Sequence, residues 1–531
     1  MCCASNRSPH RRRAWKNRRL IVLRLSARFP LRPVVAVALG ALHAVAFLSD
    51  AAWPLELAVL AALFALVARS ARVADAARVG FAFGLGWFLC GISWIYISLH
   101  VYGEMAMPLA ALATLILCSY LALYPALACV VATWIARGHT RYLFWSIAPL
   151  WTLGELARGY LFTGFPWLAT GYAHVGGPLA GFAPVLGMYG ITLGAALVAA
   201  ALAALAGRVF PTRQSAWRAC VLAVFGIPLL GFALTTLKWS SPFGPPLHVR
   251  LLQGDIPQDV KFDPAQFLST VNTYLDLIER KKADLIVLPE TALPRFLNDF
   301  PPSLVARLRQ DAQRMQSTIA LGVPIADPRT GYTNSVVAFI PGQTALGRYD
   351  KSHLVPFGEF VPIGAHWFVH LMKIPLGDFN SGSSRQTPMS IAGVRIAFNV
   401  CYEDLFGEEI IRQLPAANVL VNVSNVAWFG DSLALPEHLR ISRMRALETA
   451  RPMLRATNTG MTASIDPQGH VLGALAPYTV GSLDVTIQPM AGETPYARWG
   501  NVPALALSLL ILALSWAHLL RQRVRPRGIR S

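Results

Sequence analysis

The sequence predicts a multi-pass α-helical membrane bundle of about eight spans joined to one α/β domain that faces water. Three observations carry this. Only 14% of the 531 residues are charged, 54% are hydrophobic and the mean hydropathy is +0.45, whereas a soluble domain carries roughly 25% charge. Several apolar runs are long enough to cross about 30 Å of hydrocarbon at about 1.5 Å per residue. Between Pro246 and Met490 the composition turns ordinary, and short apolar runs alternate with amphipathic stretches. Together these exclude a single soluble globule and a disordered or fibrous chain.

The elements follow in chain order. Residues 1–32 form a basic leader. Residues 33–237 hold seven apolar runs, near Pro33–Leu48, Trp53–Val67, Gly80–Ser98, Leu109–Ala136, Tyr142–Phe162, Leu179–Leu205 and Cys220–Leu237. An eighth lies at 502–520, followed by a basic tail, 521–531. In the intervening domain, 246–490, Val249–Leu252, Leu285–Leu288, Ile319–Val323, Ser335–Ile340, Val394–Val400 and Val419–Val423 read as strands. Gln266–Lys281 and Pro302–Gln316 read as helices between them.

The net charge of +19 is concentrated at the ends. Ten Lys/Arg and no acid lie in residues 1–33, and five Arg and no acid lie in 521–531. Arg69, Arg72 and Arg78, then Arg137 and Arg141, then Arg208, Arg213 and Arg218 mark alternate loops, while His100–Met107 has no Lys or Arg. By the positive-inside rule both termini are cytoplasmic and the α/β domain lies on the opposite side. Both basic ends flank apolar runs, and Trp15 and Phe29 are the only aromatics among their basic residues, so nucleic acid is not an expected partner. The basic leader is too long for a cleavable signal peptide, and no small-residue cleavage pattern follows it. Glu155 and Arg158, three apart, can pair on one helical face.

Three segments of the domain carry chemistry. In Ala283–Ala292 an apolar strand runs straight into Glu290, and functional groups collect at the carboxyl ends of strands in open α/β sheets. Gly347–Glu359 holds Lys351, His353 and Glu359 on a path made irregular by Pro356 and Gly358. Lys351 is a candidate oxyanion cation; His353 is more simply structural. In Val394–Asp404, apolar residues alternate up to Val400, and Cys401 falls where a helix is expected to begin with Glu403 and Asp404. A thiol at a helix N-terminus has its pKa lowered. Of seven cysteines, Cys401 is the one in a polar region beyond the leader, so a free thiol is expected rather than a disulfide framework. No metal-ligand spacing and no Gly-x-Ser-x-Gly elbow is present. A thiol, an amine and a carboxylate together can supply a nucleophile, an oxyanion donor and a base.

The order Glu290, Lys351, Cys401 resembles the nitrilase superfamily of carbon–nitrogen hydrolases, with its αββα sandwich. Phe162–Trp167, the run 177–184, Gln253–Gln258, Leu288–Ala292, Tyr349–Phe360, Cys401–Glu403, Val423–Asp431 and Arg443–Glu448 resemble, in this order, the apolipoprotein N-acyltransferase family. One departure is Val426, where that pattern has an acid.

The resemblance implies a two-step acyl transfer. Glu290 would deprotonate Cys401, which takes an acyl chain from a phospholipid donor, the sn-1 chain of phosphatidylethanolamine. Lys351 and the Tyr402 N–H would hold the oxyanion. The thioester would then be attacked by the α-amine of a diacylglyceryl-cysteine lipoprotein acceptor. Glu359 would orient Lys351 or assist proton transfer, with Tyr402 and Glu403 in supporting roles. Trp239 would stand near the lipid entrance, and Asn425, Trp428 and Phe429 would shape the acyl pocket unless they only pack the sandwich. Val361–Asn380, with Trp367, Phe368, Leu371 and Met372, is the lid candidate. No cofactor or metal, a monomer, and a location in the bacterial inner membrane with the domain in the periplasm are expected. A membrane-tethered amidase shares this triad, but its soluble substrate would not need the membrane body. A non-catalytic scaffold is the third alternative.

Overall fold

The computed structural model describes residues 31–136, 139–207, 214–327, 331–361 and 378–524. The basic leader up to residue 30, the end of the tail and the lid candidate's Trp367, Phe368, Leu371 and Met372 lie outside them.

The membrane part contains α1 (Leu31–Val45), α2 (Trp53–Ala68), α3 (Val73–Gly91), the short α4 (Trp94–Ile97), α5 (Met107–Ala136), α6 (Thr140–Tyr160), α7 (Ala183–Ala206) and α8 (Gln214–Leu234). Among the described residues, six helical segments are long and apolar enough to cross a membrane: those containing α2, α3, α5, α7 and α8, and the last helix of the chain, Val502–Val524. Two of the eight expected spans fall outside that set. The α1 helix has only 15 residues, and α6 carries Arg141, Glu155 and Arg158.

Helix packing follows residue size. A Cβ on Gly80 would stand 2.8 Å from Ala126 Cα, and one on Gly84 2.7 Å from Ala122 Cα. These small residues let α3 and α5 approach closely, which gains dispersion contacts where lipid offers no hydrophobic drive. The α7 helix is largely buried at the bundle's centre, whereas α8 turns Leu222, Phe225, Leu229 and Phe232 outward.

Glu155 and Arg158 do not pair as expected; each ties α6 to the chain that follows it. Glu155 accepts from the Thr170 amide and hydroxyl at 3.0 and 2.6 Å and from the Thr192 hydroxyl at 2.9 Å. Arg158 donates to the carbonyls of Phe165 and Trp167, each at 2.6 Å. Anchoring the main chain at Phe165, Trp167 and Thr170 in this way holds a non-helical stretch in the protein interior, where its polar groups need partners.

The strands are β1 (Ser240–Pro242), β2 (Leu247–Gln253), β3 (Leu285–Val287), β4 (Thr318–Asp327), β5 (Gly331–Phe339), β6 (Gly347–Asp350), β7 (Met389–Ile391), β8 (Val394–Val400), β9 (Val419–Ser424), β10 (Met453–Thr457), β11 (Ala463–Ile465), β12 (Val471–Ala474), β13 (Gly481–Ile487) and β14 (Met490–Gly492). One six-stranded sheet runs β13-β2-β3-β4-β5-β6 and the other β12-β11-β10-β9-β8-β7. Their middle pairs, β2–β3–β4 and β8–β9–β10, are parallel. Alternation along β8 shows the layering: Ile396, Phe398 and Val400 join Val249, Leu251 and Val336 of the opposite sheet. Ala397 faces outward, with Leu439 and Ala446 of a helix at Ala434–Thr449. On the other side, α9 (Phe267–Glu279) and α10 (Pro302–Met315) cover β2–β5 through Tyr274, Leu277 and Leu308.

The remaining helices are α11 (Gly407–Ile410), α12 (Ala434–Thr449), α13 (Pro495–Trp499) and α14 (Val502–Val524). β1 and β14 form a two-stranded ribbon where the chain enters and leaves the domain. The α12 helix fastens the sandwich to the bundle. Arg440 and Arg443 each reach Asp50 at 2.8 Å, and Glu437 accepts from Trp167 Nε1 at 2.7 Å.

Candidate functional site

The parallel strands of both sheets deliver their carboxyl ends to one place. Glu290 leaves β3 just before Thr291, whose φ is +47°. Its backbone lies so near β4 that a Cβ on Gly322 would fall 2.5 Å from Glu290 Cα. Only glycine permits that approach. Glu290 Oε1 accepts from Asn334 Nδ2 at 2.8 Å and lies 3.6 Å from Lys351 Nζ. Its Oε2 accepts from the Asn425 amide at 2.8 Å.

Lys351 follows β6, and its amide donates to the Asn334 carbonyl at 2.8 Å. Its Nζ lies 2.9 and 2.8 Å from the two oxygens of Glu359. Burial by itself disfavours the ammonium, but Glu359 and Glu290 outweigh it and hold the Lys351 pKa above the usual lysine range. Asn334 Nδ2 also donates to Glu359 at 2.8 Å, so one amide bridges both carboxylates.

Cys401 directly follows β8 with φ +52°, a strained elbow. A five-residue 3-10 turn, Cys401–Leu405, follows in place of the expected α-helix. The pKa lowering expected of a helix N-terminus does not occur. Burial, reinforced by Glu290, pushes the thiol above its ordinary range, with Lys351 opposing. The residue itself remains partly exposed.

Glu403 locks the elbow to the Lys351 loop. Its carboxylate accepts from the amides of Val400, Ser352 and His353 at 2.7, 2.7 and 3.1 Å, from the Ser352 hydroxyl at 2.9 Å and from the Tyr349 hydroxyl at 2.9 Å. Tyr402 donates through its hydroxyl to the Gly164 carbonyl at 2.7 Å, joining the elbow to the bundle. His353 stacks on Phe406, with ring centroids 3.7 Å apart, and meets Glu409 at 3.2 Å; it packs rather than facing Glu290.

The other expected residues separate into groups. Asn425 lies against the base, its Nδ2 donating to Gln258 Oε1 at 2.8 Å. Trp428 and Phe429 reach the bundle: the Trp428 carbonyl accepts from Ser98 at 2.7 Å, and the Phe429 ring lies 4.4 Å from that of Trp94. Beside them, Trp94, Ile97, Leu433 and Leu435 help line an open cavity of about 670 Å³. Val426 is fully buried beside this aromatic pair. Trp239 borders the β1–β14 ribbon, its carbonyl near Gly492; its described contacts do not reach Glu290, Lys351 or Cys401. Among the described residues, no cluster of His, Cys, Asp or Glu could hold a metal.

Sequence reasoning missed Asn334, Gln258 and Lys261. Asn334 directly precedes the apolar run expected as the strand Ser335–Ile340, and nothing in that run marks it as a site residue. Lys261 lies just beyond the Gln253–Gln258 motif and carries no signal of its own. Asp404, expected as an acid at a helix start, is wholly buried. It meets His438 Nε2 at 2.8 Å and Arg455 at 3.2 Å.

The sequence matches the carbon–nitrogen hydrolase family over residues 248–496 and the apolipoprotein N-acyltransferase N-terminal domain over 39–201. It is 46% identical to an apolipoprotein N-acyltransferase of Ralstonia nicotianae over 93% of this chain and 94% of that one. It is 44% identical to one of Bordetella bronchiseptica, covering 93% and 98%, and 44% identical to one of Nitrosomonas europaea, covering 92% and 97%. A membrane-embedded acyltransferase with a nitrilase-like sandwich, the chain belongs to the apolipoprotein N-acyltransferase family.

Proposed function

We propose that the enzyme acylates the N-terminal α-amine of diacylglyceryl-cysteine lipoproteins through a thioester on Cys401, with a phospholipid as donor. The observation that carries this reading is the carboxylate of Glu290, oriented by Asn334 and the Asn425 amide and facing Lys351 at 3.6 Å, beside the Cys401 elbow.

In the first step Glu290 takes the thiol proton as Sγ bonds to the ester carbonyl carbon. The raised thiol pKa favours a transfer concerted with attack over a standing thiolate. Lys351 and the Tyr402 amide balance the oxyanion. Collapse breaks the carbon–oxygen bond, and protonated Glu290 returns its proton to the departing lysophospholipid oxygen. In the second step the acceptor amine attacks the thioester, Glu290 takes the amine proton, and Cys401 leaves and is reprotonated. Glu359 holds Lys351, while Glu403 and Tyr402 hold the elbow. Trp428, Phe429 and the adjoining cavity receive acyl chains, and Trp239 stands near the lipid entrance.

A diacyl lipid buries many CH₂ groups at about 0.8 kcal/mol each, so the site must open at the bilayer. On this reading residues 33–237 and 502–520 form the membrane domain and 246–490 the catalytic domain. The enzyme works as a monomer in the inner membrane, with phosphatidylethanolamine as its sn-1 donor, its domain in the periplasm and both termini in the cytoplasm. The membrane-tethered amidase remains the second reading, because a carbon–nitrogen hydrolase fold with the same triad also suits an amide.

The test is the intact mass of detergent-purified protein after exposure to phosphatidylethanolamine, beside Cys401→Ala. One acyl chain on Cys401, discharged by a diacylglyceryl lipopeptide, is the expected result. Cys401-dependent amide hydrolysis without an adduct would favour the amidase.

A further inference from the structure

The loop from Gly254 to Asp263, between β2 and α9, is tied down well beyond what a connection requires. Asn458, just after β10, accepts from the Asp255 amide at 2.9 Å through its carbonyl and from the Ile256 amide at 3.1 Å through its side chain. It returns a bond to the Ile256 carbonyl at 2.8 Å. Gln258 is held by Asn425. These ties drive Lys261 inward until it is 1% exposed.

Its Nζ donates to the Glu290 carbonyl at 3.3 Å, and among the described residues it forms no ion pair. A buried ammonium without a carboxylate is costly. Burial accordingly pulls the Lys261 pKa down to about 7, against the opposing pull of Glu290 and Cys401.

The other charges near the thiol are committed. Lys351 is paired with Glu359 and Glu290, and Arg455 with Asp404. Two carboxylates, Glu290 and Glu359, therefore share the Lys351 ammonium, and among the described residues Lys261 is a further cation, one whose charge responds to Glu290 and Cys401.

We propose that Lys261 is a positioning residue of this site, pinning the main chain at Glu290 and placing a second positive charge beside the Cys401 thiol. Gly322 supports the Glu290 backbone from the β4 side, and Lys261 grips its carbonyl. As an ammonium, Lys261 offsets the negative charge that passes through sulfur toward the developing oxyanion while the thiol proton goes to Glu290. The proposal rests on Cys401 being the nucleophile and Glu290 its base.

The test uses the full-length protein in detergent with two readouts. One is the rate of acyl adduct formation from phosphatidylethanolamine. The other is the pH profile of Cys401 alkylation by iodoacetamide, in which Glu290, Lys351, Glu359, Asp404 and Arg455 are also felt by the thiol. Lys261→Met and Lys261→Gln should each slow adduct formation by about tenfold or more and move the alkylation profile to higher pH. Lys261→Arg should recover most of both. An unmoved profile in a folded neutral variant overturns the proposal, whether or not the rate falls. If neither neutral variant folds, the Lys261→Arg profile decides: one like wild type supports the proposal, and a displaced one overturns it. Cys401→Ala separates the two readings. An adduct persisting there sinks the triad itself, whereas its loss there beside unaltered Lys261 variants sinks only this inference.

Discussion

Replacing Glu403 with Gln tests whether the elbow is held electrostatically. Oε1 accepts from Ser352 and His353, and Oε2 from Val400. A Gln keeps one acceptor and turns an NH₂ toward the other set. The less harmful orientation keeps the Ser352 and His353 bonds and sets the NH₂ against the Val400 amide, one residue before the nucleophile. A hydrogen bond to a charged group contributes about 1.5–3 kcal/mol, and the orphaned buried amide costs about 1–3 more. Even about 2.7 kcal/mol felt at the elbow slows acylation roughly 100-fold. The assay is the single-turnover rate of Cys401 acylation by phosphatidylethanolamine, read by intact mass. Tyr349→Phe is the internal standard, because it removes one donor and leaves all three main-chain amide bonds; its loss should stay below about tenfold. If Glu403→Gln acylates within about twofold of wild type while its fold is intact, the elbow does not depend on this carboxylate and the reasoning fails.

Three further outcomes follow from the same geometry. Asn334→Leu removes the amide shared by Glu290 and Glu359 and should cost at least about 1.5 kcal/mol in acylation, more than tenfold; a wild-type rate would show that the bridge is dispensable. Gly322→Ala forces a Cβ to within 2.5 Å of Glu290 Cα, so acylation should fall while lipid binding to the bundle persists, and unchanged kinetics would contradict the packing. Burial alone would raise the Asp404 pKa, but His438, Arg455 and Ser442 hold it below the ordinary carboxylate value. Its stabilising contribution is therefore present above about pH 4 and is lost as pH falls through the lower folded-state value. Asp404→Asn should flatten that acid limb in a pH series of thermal unfolding, and an unaltered limb would assign it elsewhere.

Much of the architecture was legible because its signals are local. A run of apolar residues must be satisfied in lipid whatever surrounds it, so the membrane segments stood out, although α1 and α6 fall short of the simple criterion of length and apolarity. Strands buried on both faces, such as β3, β8 and β9, read as apolar runs. The edge strands β12 and β13 escaped notice because they are short or half-exposed and depend on their partners for definition. Glu290, Lys351 and Cys401 were visible as chemistry-bearing residues at strand ends.

The sequence by itself determined a membrane body, one α/β domain and a thiol, amine and carboxylate in fixed order, because hydropathy and residue chemistry are properties of the chain at each position. Tertiary structure decided everything that depends on who stands beside whom. It split the expected Glu155–Arg158 pair into two backbone anchors. It raised rather than lowered the thiol pKa. It also brought Asn334 and Lys261 to Glu290 across sequence separations of 44 and 29 residues. Burial and charge pairing are set by neighbours that the fold brings together, and the spacing of residues along the chain does not encode them.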